Sequence, residues 1–97
     1  MLTEVLAANP SDAFARYGLA MEHSKAGQTE AALAEFGKLL QQHPDYTAGY
    51  FMAAQTLAAA ARNHEARKML QDGIASALRT GNQHAQSEME AMLAELP

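Results

Sequence analysis

Three features of the 97-residue sequence predict an all-α fold, an array of stacked helical hairpins. The first is repetition: Ala32, Phe36 and Leu40 return 34 residues later as Ala66, Leu70 and Ile74. At the same interval upstream, Phe36, Leu39, Leu40 and Pro44 become Leu2, Val5, Leu6 and Pro10. A fixed period of this size means stacked supersecondary units rather than one irregular globule. The second is composition. Hydrophobic residues are 48%, but many are alanine and aromatics are only 6%, which suits closely approaching helices. β-Branched residues, which favour strands, are scarce. The third is punctuation, because helix stops and cap residues fall between the apolar runs.

In chain order, Leu2, Val5 and Leu6 lie at i, i+3 and i+4 on a short helix that ends before Asn9-Pro10. It looks like the last turns of a unit whose first part is missing, so either the protein begins here or the chain was cut from something longer. Ser11 or Asp12 can cap the next helix, which runs to about Ala26 and is closed by Gly27. Thr29 is expected to cap a helix through Gln42, with Glu30 near its positive end and His43-Pro44 as its stop. Asp45 is expected to cap a helix over roughly Tyr46 to Ala60, and Asn63 another from about His64, with Glu65 in its first turn. This helix should overrun, since Leu78 stands where the period calls for proline and Gly81 is the first credible stop. Asn82 caps a last helix to about Leu96, apolar along Ala85, Met89, Met92, Leu93 and Leu96. Five main helices and a short N-terminal one result. Their short connections require consecutive helices to pack antiparallel.

Composition excludes several functions. Net charge is −4 and no basic run exceeds Arg67-Lys68, so neither nucleic acid nor an anionic membrane surface is expected as a partner. Without cysteine there is no disulfide framework, thiolate nucleophile or thiolate metal site. The N-terminus does not read as a signal peptide and no stretch reaches the ~20 apolar residues of a membrane span, so a cytoplasmic location is expected. His23, His43, His64 and His84 lie on different helices or helix ends. His84 with Glu88 supplies two ligands, short of the three or four zinc needs. Glu88 and Glu90 face different sides of one helix, and no phosphate loop or nucleophile motif is present. No enzyme activity and no cofactor are expected.

The repeat residues carry a family resemblance. A large-small pair in the first helix (Leu19-Ala20, Ala53-Ala54), a glycine closing it (Gly27) and an alanine opening the second helix (Ala32, Ala66) resemble the tetratricopeptide repeat. So do the large residue four positions later (Phe36, Leu70) and the closing Pro44. The resemblance implies an α-α superhelix in a single domain, residues 1–97. Its parts would be a partial helix at 1–10, repeats at 13–46 and 47–80, and a solvating cap helix at 82–97, where Glu88 takes the small-residue position. The chain departs from the pattern at Ala61 for glycine, Gly73 for alanine, Leu78 for proline and Arg16 for a large aromatic.

The resemblance also implies a non-enzymatic scaffold that binds a protein or peptide in the concave groove lined by the first helix of each repeat. Carried over by position, that groove holds Phe14, Tyr17, Met21, Ser24 and Lys25, then Ala48, Phe51, Gln55, Ala58 and Ala59. Phe14, Tyr17, Met21 and Phe51 would form an apolar patch for an amphipathic segment, with Lys25 and Gln55 beside it. The same stripe could instead serve a homodimer or homo-oligomeric assembly, or be intramolecular core. The positions that would clamp a chaperone-tail carboxylate hold Tyr17, Met21, Met52, Asn82 and Gln86. None is a cation, so no such clamp is expected.

Overall fold

A computed structural model describes all residues, 1–97, as six helices and no strand. They are α1 (Leu2–Ala8), α2 (Ala13–Lys25), α3 (Thr29–Gln42), α4 (Thr47–Ala59), α5 (Asn63–Thr80) and α6 (Gln83–Glu95). Each helix packs against the next, α2 on α3 and α4 on α5 most extensively, giving a slab 39 × 29 × 17 Å. No helix is long and apolar enough to cross a membrane.

The turns are set by backbone closure more than by side-chain caps. After α2, α4 and α5 the chain places Gly27, Ala61 and Gly81 at φ +76°, +60° and +68°, in the left-handed region. In each case the next residue's N–H donates to a carbonyl five residues back: Gln28 to His23, Arg62 to Leu57 and Asn82 to Ala77. The overrun of α5 and its stop at Gly81 are as expected. Asp12 and Asn82 do cap α2 and α6, accepting from the N–H of Ala15 and Ala85. The other three caps differ from expectation. Thr29 and Asn63 are the first residues of their helices, and Gln28 and Arg62 occupy the cap positions without a capping bond. Asp45 lies outside α4 and binds the Arg79 guanidinium at 2.7 Å.

Ala61 is the one non-glycine residue at positive φ. A left-handed conformation costs an L-residue ~1–2 kcal/mol, while glycine loses ~0.4–1 kcal/mol more backbone freedom on folding. Ala61 is exposed, so little packing is lost with its methyl. Ala61→Gly is therefore expected to stabilise the fold by ~0.5–1 kcal/mol, read as a raised urea midpoint at unchanged slope.

Two clusters make the core. Ala20, Ala32, Phe36, Leu39 and Ala53 fill the space among α2, α3 and α4; Tyr50, Ala54, Leu70, Ala77 and Met89 fill that among α4, α5 and α6. Ala32 and Ala66 are both fully buried, as their equivalent places in the period require.

The two clusters divide their volume differently. In the first, α3 supplies the bulky Leu39, and α4 meets it with Gly49, whose Cβ position lies 3.0 Å from Leu39 Cδ2. In the second, the residue equivalent to Leu39 is Gly73, and α6 supplies the bulk as Met89. This accounts for Gly73: a Cβ there would sit 2.5 Å from Met89 Sδ and 2.6 Å from Tyr50 Cβ. The Tyr50 Cβ is fixed to the α4 backbone and cannot swing away. Gly73→Ala gains ~1 kcal/mol in helix propensity but overpacks the interface. A net loss of ~1–3 kcal/mol is expected in urea unfolding, and an unchanged midpoint would contradict the close approach.

Arg16, in the place of the usual aromatic, is also accounted for. Tyr50 Oη donates to the Pro44 carbonyl at 2.6 Å, and Arg16 Nη2 donates to the Pro10 carbonyl at 2.8 Å, six residues back in both repeats. Arg16 is buried and forms a salt bridge with Glu35.

Candidate functional site

The first-type helices α2, α4 and α6 run parallel, because each is separated from the next by one antiparallel helix. α6 packs on α5 and touches α4 but does not reach α2, so it leaves the α2 stripe uncovered.

The six residues singled out in the sequence fall into two groups. Phe14, Lys25 and Gln55 are exposed, and Phe14 is the most open aromatic, at 75%. Tyr17, Met21 and Phe51 are half-buried, with their inner sides on the core. Tyr17 and Met21 pack on the first cluster and Phe51 on the second. The Tyr17 ring meets Phe36 edge-on, with centroids 6.4 Å apart and planes at 69°. Core contacts of this kind hold the half-buried rings in one orientation, a low-entropy arrangement for presenting an apolar surface. Ser24 is less available, because its Oγ lies 2.9 Å from Thr56 Oγ1 and ties α2 to α4.

Tyr46 was not singled out in the sequence. Its ring lies 5.4 Å from Tyr17, tilted by 46°, at the start of α4. Burial pushes the Tyr17 hydroxyl above its usual range, and the neighbouring Tyr46 adds to the shift. Burial and then Asp12 do the same to Tyr46. Both rings are therefore neutral at physiological pH, as an apolar contact surface requires. The period gives no hint of Tyr46, since the residues 34 away on either side are Asp12 and Thr80.

The surface depressions lie elsewhere. One of about 600 Å³ is lined by Asp45, Tyr46, Thr47, Ala48, Thr80, Gly81 and Asn82, where the N-terminal ends of α4 and α6 meet. Another, of about 370 Å³, lies between α3 and α5 over Phe36, Leu57 and Met69, with Arg62 joining Glu30 and Glu65 at its rim. Neither gathers ionisable groups in an arrangement suited to catalysis. His84 Nε2 and Glu88 Oε1 do pair, at 3.2 Å along α6, on the exposed side.

A family model described as tetratricopeptide repeat matches residues 23–96. The chain is 30% identical over 95 residues to a TPR repeat-containing protein of Pseudomonas aeruginosa, covering 98% of this chain and 90% of that one. The solution structure of a tetratricopeptide repeat domain protein from Salinibacter ruber superimposes with a TM-score of 0.83 at 32% identity, over 90% of this chain and 88% of that one. YrrB, a TPR protein described as having an unusual peptide-binding site, shares the fold at a TM-score of 0.70 and 17% identity, over 98% of this chain and 56% of that one. This chain belongs to the tetratricopeptide repeat family. Its fold is that of a protein-interaction scaffold.

Proposed function

We propose that the chain is a non-catalytic docking module that holds an apolar or amphipathic segment of another protein against α2 and α4. The observation that carries this reading is the aromatic stripe. Phe14 stands open at 75% exposure next to Tyr17 and Met21, with Phe51 on the adjoining helix. An exposed apolar patch on a small domain marks an interaction surface, and rigid aromatics beside an adaptable methionine suit one. That YrrB is described as binding peptide is consistent with such a use of the fold.

Binding of a panel of amphipathic peptides to wild type and to Tyr17→Ala/Phe51→Ala tests the reading. Loss of two anchors should weaken binding by at least about tenfold, since contact hot spots are worth ~1–2 kcal/mol or more each. Equal affinities would remove it. Self-association through the same stripe, or through the α1 edge of Leu2, Val5 and Leu6, is the second reading; of that edge Val5 is 38% exposed, Leu2 half-buried and Leu6 buried. Sedimentation that stays monomeric across concentrations would exclude that reading.

A further inference from the structure

The three parallel helices share one length and can be set in register with one another. α2, α4 and α6 are each 13 residues long and begin at Ala13, Thr47 and Gln83, so the second interval is 36 where the first is 34. Burial follows the same displacement. Ala85, Gln86, Met89, Met92 and Leu93 are the inward positions of α6, as Gly49, Tyr50, Ala53, Thr56 and Leu57 are of α4. The residue at the small position of Ala20 and Ala54 is then Glu90 rather than Glu88, and it is exposed. The face of α6 that continues the stripe carries His84, Ser87 and Ala91.

Lys25, Ala59 and Glu95 are the last residues of the three parallel helices, at the same end of each. All are exposed, and neither Lys25 nor Glu95 makes a salt bridge or side-chain hydrogen bond within the chain. Between them α4 carries no charged residue from Thr47 to Ala59. Glu95 is placed against its own helix, since a carboxylate at a C-terminus meets the negative end of the dipole and α6 has no basic residue in its last turn.

We propose that α6 is the third wall of the groove and that the groove is polarised across its width, cationic at Lys25 on α2 and anionic at Glu95 on α6. Its occupant is a partner segment with apolar residues over Tyr17 and Phe51, a carboxylate directed to Lys25 and a basic group directed to Glu95. The inference rests on the docking reading above and adds the partner's charge pattern. Neighbouring helices lie ~8–10 Å apart, so the two charges are separated by roughly 16–20 Å. Five or six extended residues, or about twelve helical ones, span that distance.

A displayed library of random 16-residue peptides, selected on the whole chain and counter-selected on Tyr17→Ala/Phe51→Ala, supplies the probe. Enriched peptides should carry one acidic and one basic position flanking an apolar core. Against a synthetic winner, Lys25→Glu and Glu95→Lys should each weaken binding about three- to fivefold at low salt, an effect that 0.5 M salt shrinks. Exchanging the peptide's two charges should restore binding to Lys25→Glu/Glu95→Lys. Winners that need Tyr17 and Phe51 but bind the single reversals within twofold of wild type would overturn the charge pattern and leave the docking reading standing. A library yielding no binder that needs those two rings would overturn both.

Discussion

Phe36→Ala is expected to remove ~3–5 kcal/mol of stability, as truncation of a fully buried aromatic does. Phe36 is 1% exposed and sits where α2, α3 and α4 meet, so its removal leaves a cavity in the first cluster that the buried Ala20, Ala32 and Ala53 cannot extend to fill. A domain of this size unfolds with roughly 5–15 kcal/mol. The melting temperature should therefore fall by at least about 12 °C. Phe36→Leu, which copies Leu70 from the second repeat, should cost only about 1 kcal/mol. The effect reaches the candidate site, because the Phe36 edge holds the Tyr17 ring in its orientation. Near-equal melting of Phe36→Ala and wild type would mean that the first cluster is not packed around this ring.

The second large effect is at Glu35. Its salt bridge to Arg16 has side chains only 10% and 16% exposed, and Arg16 Nε is buried with no partner. Glu35→Ala leaves a cation shielded from water with one carbonyl for company, at a cost of about 3 kcal/mol. Replacing both partners should be far milder. The second repeat shows the apolar solution, with Tyr50 and Met69 at the positions of Arg16 and Glu35. Arg16→Tyr/Glu35→Met should be as stable as wild type or more so, since the new hydroxyl can reach the Pro10 carbonyl as Tyr50 reaches that of Pro44. Chemical denaturation of the single and double variants closes the cycle. A double variant as unstable as Glu35→Ala would show that the ion pair is not replaceable by packing.

The helices and their order were legible in the sequence because apolar period and stop residues agreed at each step. Helix starts were less so. Thr29 and Asn63 have cap chemistry, yet the left-handed residues Gly27 and Ala61 fix where the chain re-enters a helix, leaving one intervening residue, Gln28 or Arg62, at the cap. Asp45 has a stronger partner in Arg79 than in a backbone amide. Of the candidate site, the placement of Phe14, Lys25 and Gln55 on the surface followed from the family resemblance, whose groove positions they occupy. How far Tyr17, Met21 and Phe51 sink depends on neighbouring helices and did not. Tyr46 belongs to a connection whose counterparts are Asp12 and Thr80, so no period pointed to it.

The bulk that Leu39 brings to one interface comes to the other from the opposite side, as Met89 against Gly73. Tandem copying of residues 47–80 would set Gly73 of the first copy against Gly49 and Ala53 of the second, with nothing large on either side. The resulting hollow would lack both the Leu39 and the Met89 side chain. The array therefore cannot be lengthened by plain duplication of its second unit. Each seam is fitted to its own neighbour, with the bulk on one side answered by a glycine on the other.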